Sequence, residues 1–140
     1  MVEQALKYVL TNGYSFVLGA TFAIESASKN IRRALSNNYH EIAAYYVYQD
    51  PIIAWKFAKE RERIEGRVVP KSAFINAYFK SRANLRKIKH NHPNEIEINI
   101  VIKNYDNNIS AILDDEENID LVLPERYSIE ELEVRLNDVK

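Results

Sequence analysis

Five arginines between residues 61 and 86 are the side chains whose type and spacing most clearly indicate chemistry. They are Arg61, Arg63, Arg67, Arg82 and Arg86. The first two end a charged predicted helix, the third lies in a short arm at residues 66–70, and the last two lie on a second predicted helix. Guanidinium groups bind phosphate oxygens through paired, charge-assisted hydrogen bonds. The pattern therefore predicts a lid that folds over phosphate groups.

The charged helix end at residues 59–65 also has a simpler interpretation. Glu and Arg side chains three or four residues apart stabilise a solvated helix by only about 0.2–0.5 kcal/mol per pair. Charged helix ends in general are of this kind. Here Gly66 and Pro70 interrupt the helix at its most charged point. That interruption favours a mobile or ligand-facing arm.

A basic line follows the next predicted helix beside its apolar stripe. Its members share neighbouring positions on one helix face, and they are Lys71, Arg82, Arg86 and Lys89. Such a line either follows phosphate oxygens or is solvated surface. It also raises nucleic-acid binding as a weaker alternative, because no known motif accompanies it.

Hydrophobic periodicity places these arginines within an α/β sequence. Apolar spacing predicts helices at about 2–10, 24–35, 51–65 and 71–90, and short apolar runs predict buried strands at 14–18 and 42–48. Asp50 and Pro51 are a good N-cap and a good first helical residue. Helices that alternate with strands over short connections indicate βαβ units and a parallel sheet.

The C-terminal part carries a different pattern. Isoleucines alternate with other residues from 96 to 102, which predicts a strand with one wet face, near the sheet edge or without a covering helix. Residues 104–108 form a predicted turn. The runs 109–113 and 119–123 predict two short strands across an acidic hairpin tip at 114–118. Ser128 and Glu131 then form a capping box for a last helix.

The fold expected is α/β: a partial sheet of mostly parallel strands with flanking helices, followed by a C-terminal hairpin and helix. We expect the 140 residues to make a single domain, or part of a larger one. The formal net charge of −1 gives no global field that would attract nucleic acid or a membrane. The sequence has no cysteine, no signal-peptide pattern and no apolar run of membrane-spanning length. We therefore expect a cytoplasmic protein.

Two further groups of residues invite a ligand interpretation. Gly19, Ala20 and Thr21 follow the first predicted strand, and small residues at a strand's carboxyl end either leave room for a ligand or make a tight turn. His90 and His92 stand before a proline, but no third ligand of suitable type is near in sequence. We expect no metal site in this chain.

Residues 49–70 resemble the zeta toxin family of P-loop kinases. The resemblance runs from about Tyr14 to Val101 and is specific where a strand leads into Q-D-P, then W-x-F, then R-x-x-x-E-G-R-x-[VI]-P. The matching residues are Gln49, Asp50, Pro51, Trp55, Phe57, Arg61, Glu65, Gly66, Arg67 and Pro70. Members are nucleotide-dependent kinases. The toxins among them phosphorylate UDP-N-acetylglucosamine and are held in check by an antitoxin.

The resemblance implies roles for four residues. Arg67 belongs to the lid that contacts ATP phosphates, Arg61 is the other arginine of the motif, and Arg82 falls loosely near a further phosphate-facing arginine. Thr21 matches a threonine that ends a strand on the substrate side, although Gly19 stands where the family has an acid. Residues 14–101 would form the lid and substrate half, and 104–140 the C-terminal hairpin and helix. ATP and Mg²⁺ are implied by the family alone.

The chain departs from the family at its most important motif. Its three glycines, Gly13, Gly19 and Gly66, are not followed by lysine, so G-x-x-x-x-G-K-[ST] does not occur. We therefore expect a kinase-family chain that neither binds MgATP nor acts as a kinase alone. The alternative is a non-catalytic module that pairs through an exposed sheet edge. Its partner would be an antitoxin, a second copy or a separately encoded P-loop half.

Overall fold

The computed structural model describes residues 2–114, 118–123 and 125–139. The helices and strands follow one another in an α/β order. They are α1 (Val2–Asn12), α2 (Ser26–Ser36), β1 (Ala43–Tyr48), α3 (Pro51–Glu65), α4 (Lys71–Asn91), β2 (Glu97–Lys103), β3 (Ile109–Leu113), α5 (Ile119–Val122) and α6 (Ile129–Arg135), with a 3₁₀ turn at Leu136–Asp138. This order confirms the predicted fold class.

The described strands form one mixed sheet in the order β1-β2-β3. β1 pairs parallel with β2, with Tyr46 opposite Ile100, and β2 pairs antiparallel with β3. β2 is therefore the central strand, and the expectation that it lies near the edge is wrong. The predicted wet face is wrong as well, because Ile98, Asn99, Ile100 and Val101 are all buried.

The main core lies between α4 and one face of the sheet. Leu85 and Ile88 of α4 pack against Ile98 and Ile100 of β2, and all four are at most 2% exposed. Burial of a side chain of this size contributes about 1.5–3 kcal/mol. This contact fixes α4, and with it the helix–arm–helix, against the sheet.

A second core joins α3 and α4 to the C-terminal helix. Trp55 packs with Leu132 and Leu136, and its indole N–H donates to the Leu136 carbonyl at 3.2 Å. The capping box predicted at Ser128 and Glu131 is present, with both reciprocal hydrogen bonds formed. The C-terminal helix is therefore part of the fold's interior contacts.

The strand predicted at residues 14–18 is wrong. Residues 14–20 have no regular secondary structure, and Val17 is 99% exposed. Tyr39 donates from its hydroxyl to the carbonyls of Val9 and Tyr14, which holds the start of this segment. An apolar run becomes a strand only when it pairs with a neighbouring edge, and this segment pairs with none of the described strands, although the outer edge of β1 is open.

The strand predicted at 109–113 is confirmed as β3, but its hairpin partner is β2 and not residues 119–123. β2 and β3 form the hairpin across residues 104–108, where the Asn104 side chain accepts from the amides of Asp106 and Asn108. Residues 119–122 are helical because Ile119 and Leu123, four positions apart, are both buried in the main core. Of the predicted acidic tip, residues 115–117 lie outside the described part of the chain.

A candidate phosphate-binding cleft

A cleft of about 890 Å³ opens at the carboxyl end of β1, between α3 and α4. Residues 20–22 form one side of it. Aromatic rings line much of its wall: Tyr45, Tyr46, Tyr48, Phe57, Phe74 and Tyr78. Open α/β sheets bind ligands at the carboxyl ends of their strands, so this cleft is the candidate site.

Asp50 fixes the start of α3 at the end of β1. One carboxylate oxygen accepts from the Ile52 amide at 2.9 Å, and the other accepts from the Tyr127 hydroxyl at 2.7 Å. Pro51 follows as the first helical residue. Arg61 lies ten residues further on, which is about 15 Å along the helix at 1.5 Å per residue. Because the N-cap fixes the start of α3, it also fixes the position of Arg61 along the helix relative to the cleft.

The structure brings together two of the four predicted site residues. Arg61 and Thr21 both line the cleft. Arg61 is exposed and, within the described chain, forms no ion pair. A nearby arginine, Arg63, is paired with Glu60 at 3.2 Å. Arg61 is therefore a cation that an anionic ligand in the cleft can reach.

Arg67 lies in the arm between the two helices. Gly66 begins that arm with φ of +69°, as the left-handed C-cap of α3. Arg67 is exposed. It is absent from the cleft wall, although Val69 of the same arm lines it. Arg67 is therefore two residues from the cleft wall along the chain but is not part of it.

Arg82 is placed differently from the other predicted site residues. Its side chain is 1% exposed, it donates to the Leu123 carbonyl and to the Tyr78 hydroxyl, and it lies over the Tyr78 ring. It is not part of the cleft wall. Its guanidinium joins α4 to the end of α5.

The rest of the basic line on α4 is likewise engaged. Arg86 forms ion pairs with Asp120 at 2.5 Å and Glu125 at 3.3 Å. Burial lowers the pKa of Arg86, but its hydrogen bonds and charge attraction to these carboxylates outweigh that effect and raise the pKa overall. Lys71 donates to the Glu133 carbonyl at 3.1 Å. The line thus serves largely as the docking face for the C-terminal segment.

A group of tyrosines in the cleft wall was missed from the sequence. The Tyr46 hydroxyl is 3.0 Å from that of Ser81, and burial raises the pKa of Tyr46. Burial, followed by interaction with Tyr78, raises the pKa of Tyr48 as well. The cleft therefore presents neutral hydroxyls beside Arg61. The alternation of Tyr46 and Tyr48 along β1 was the signal, since residues two apart in a strand share a face.

The residues present supply only part of what a nucleotide with Mg²⁺ needs. Arg61 and Arg67 offer positive charge, but no glycine-rich cradle or following lysine occurs in the sequence. Among the described residues, no three His, Cys, Asp or Glu side chains come together in a group that would hold a metal ion. His92 instead pairs with Glu95 at 3.1 Å. These residues therefore do not form a complete site for MgATP, and we derive no reaction step that involves it.

The chain combines a mixed α/β sheet with a helix–arm–helix at the carboxyl end of its edge strand β1. The sequence matches the Zeta toxin family over residues 1–117, so the chain belongs to that family. This match extends beyond the resemblance seen at residues 14–101. It makes the chain a zeta toxin-like member of the P-loop kinases, a group that generally uses a nucleotide and Mg²⁺. Comparisons with curated proteins and with solved structures gave no match.

None of the helices in the described ranges combines the length and the apolar character needed to cross a bilayer.

Proposed function

We propose that this chain is the lid and substrate-side portion of a zeta-type phosphotransferase, and that it does not turn over ATP by itself. Membership of the Zeta toxin family supports the first part. One observation carries the second: a cleft with Arg61 in its wall accompanies a sequence without G-x-x-x-x-G-K-[ST]. The role within a toxin–antitoxin pair and the cytoplasmic location belong to the same proposal.

The physics of phosphoryl transfer explains why lid arginines alone are insufficient for catalysis. Catalysis depends on positioning and on neutralising charge, for which the family uses a glycine-rich loop, its lysine and Mg²⁺. Arg61 and Arg67 add positive charge near the phosphates but hold neither the metal nor the reacting groups in line. Thr21, which also lines the cleft, is the proposed contact to the acceptor substrate.

Isothermal titration calorimetry with MgATP tests the absence of turnover. We expect no affinity tighter than millimolar and no ADP release, because the cradle that holds the phosphates does not occur in these residues. Micromolar affinity for MgATP would contradict the proposal.

Inorganic triphosphate without metal tests the lid role separately. We expect weak, salt-dependent binding that Arg61→Gln reduces several-fold, because this arginine lines the cleft and forms no ion pair with another described residue. Arg67→Gln should reduce it less. Arg63→Gln is the matched control, since Arg63 is already paired with Glu60. Equal loss in all three variants would show that general charge, and not the cleft, binds the anion.

A second candidate function is a non-catalytic interaction module. The observation that favours it is the outer edge of β1, which has no partner among the described strands. An exposed edge offers backbone groups to a strand from another polypeptide. Such a strand would come from an antitoxin, a second copy of this chain or a separately encoded P-loop half.

A further inference from the structure

The outer edge of β1 carries a defined set of backbone groups. The Glu97 amide donates to the Ile42 carbonyl, and Ala43 pairs with Glu97 across the parallel ladder. In such a ladder alternate residues point their N–H and C=O to the same side. Ala43, Tyr45 and Val47 therefore point both groups away from β2. These groups form no hydrogen bond with any other described residue.

The sheet face beside this edge is open at its outer strands. Val47, Val101 and Ile112 form one registered row across the three strands. Tyr45 is 61% exposed, Val47 57% and Ile112 53%, whereas Val101 of the central strand is 8% exposed. Parallel strands are normally buried on both faces. The open edge and the exposed side chains of β1 meet at Tyr45 and Val47.

The strand has none of the devices that keep sheet edges apart. β1 reads AAYYVY, without charge, proline or glycine, and its ladder to β2 is regular. Natural edge strands usually carry lysine, proline or a bulge that prevents pairing with another chain. An edge of this kind is suited to pairing.

We propose that a second copy of this chain covers the edge, with the two β1 strands antiparallel about a two-fold axis at Tyr45. This inference rests on the interaction-module function proposed above. A two-fold axis brings a strand against itself in antiparallel orientation. Tyr45 would then face its own copy, and Ala43 would face Val47 of the second molecule. These three positions hold the outward backbone groups, so each pairing is a doubly hydrogen-bonded one.

The sequence of β1 agrees with a self-complementary contact. Because it has no charged side chain, no like charges meet across the axis. The two sheets would join into one sheet of six strands. The apolar rows at Val47 and Ile112 would become continuous with their symmetry copies, and the tyrosines at position 45 would pack against each other.

Sedimentation velocity over a range of micromolar concentrations tests this dimer. We expect the unchanged chain to form dimers as concentration rises. Val47→Pro should weaken association at least tenfold, because it removes one outward N–H while the inward bonds of its neighbours to β2 remain. Val47→Thr is the matched control, since it keeps the amide and should associate nearly as well as the unchanged chain. Thermal unfolding by circular dichroism establishes that each variant is folded.

Tyr45→Lys gives a second variant that leaves the backbone unaltered. It sets two positive charges directly opposite each other at the axis and should abolish the dimer at low salt. Leu121→Lys is its control, because Leu121 is similarly exposed but distant from β1 along the chain. A strictly monomeric chain at all concentrations, or dimers that persist in Tyr45→Lys, would overturn the proposal. Neither result depends on MgATP binding, so the kinase-family proposal is tested independently.

Discussion

At the scale of single residues, the surroundings of Arg82 in the structure favour a different role from the one that the sequence favours. The resemblance to kinases favours contact with phosphate. In the structure the guanidinium is buried and donates to the Leu123 carbonyl and the Tyr78 hydroxyl. Its Nε is buried without a hydrogen-bond partner among the described residues. We therefore expect Arg82 to contribute mainly to the stability of the fold.

Arg82→Met should therefore lower the free energy of unfolding by about 1.5–3 kcal/mol, the usual contribution of hydrogen bonds to a charged group. Urea denaturation measures it. Arg63→Met, at an exposed pair, should change stability by no more than about 0.5 kcal/mol. If Arg82→Met were as stable as the unchanged chain but lost triphosphate binding, the predicted phosphate role would be supported instead.

Tyr127 predicts a dependence of stability on alkaline pH. Burial, together with the hydrogen bond to Asp50, raises the pKa of Tyr127 from 10 to about 12. The neutral phenol is the form stabilised by folding. Its contribution is complete below pH 10 and is lost as the pH rises from about 10 to about 12. Tyr127→Phe should be less stable than the unchanged chain at pH 8, and the difference should shrink toward pH 12.

Urea denaturation at a series of pH values measures this effect. Tyr105→Phe is the control, because Tyr105 is exposed. A Tyr127→Phe variant whose deficit stays constant up to pH 12 would show that the phenol proton is not linked to folding.

At the scale of elements, the end of α3 depends on one backbone conformation. Gly66 has φ of +69° and its amide donates to the Glu62 carbonyl at 2.8 Å. Side chains with a Cβ adopt this region at a cost of about 1–2 kcal/mol. Gly66→Ala should lower stability by about 1 kcal/mol. Gly66→Asn should cost less, because asparagine tolerates the left-handed region.

Thermal unfolding compares the two Gly66 variants directly. A steric clash would not contribute to the difference, since no heavy atom of the described residues lies within 4 Å of the position of an added Cβ. Equal stability of the alanine variant and the unchanged chain would mean that the arm readily adopts another conformation.

The described helices other than α5 were predictable because each carries its own local signals. Asp50 with Pro51 gave the start of α3, and Ser128 with Glu131 gave the start of α6. The motif at 49–70 also gave the family. Periodicity and capping are properties of neighbouring residues, and one sequence is enough to see them.

The strands were less predictable because a strand needs a partner. Residues 14–18 have a strand's composition but no ladder, and residues 119–123 are equally apolar but helical. The position of Arg82 depended on α5, which was assigned as a strand. The tyrosine wall of the cleft depended on how β1 and α4 meet. Each of these is a long-range contact that local patterns do not contain.

At the scale of the whole molecule, the family match ends before the core does. The match stops at residue 117, but four side chains beyond it are at most 4% exposed: Ile119, Leu123, Leu132 and Leu136. At about 1.5–3 kcal/mol each, their burial is comparable with the 5–15 kcal/mol by which whole domains are stable.

A chain cut after residue 117 should therefore not fold cooperatively. We expect loss of a sharp thermal transition and strong binding of a hydrophobic dye, as circular dichroism and dye fluorescence would measure. The full chain is the control. A truncated chain that unfolds cooperatively near the same temperature would show that the C-terminal helices are an addition to a complete domain.

The indole of Trp55 gives this junction its own optical signal. It is the only tryptophan in the sequence, it is 3% exposed, and its N–H donates to the Leu136 carbonyl. The Lys59 ammonium lies 5.0 Å from the ring centre. Tryptophan fluorescence therefore reports on one place only, the contact between the C-terminal helix and α3. Undocking of that helix would shift the emission maximum to the red without any added label.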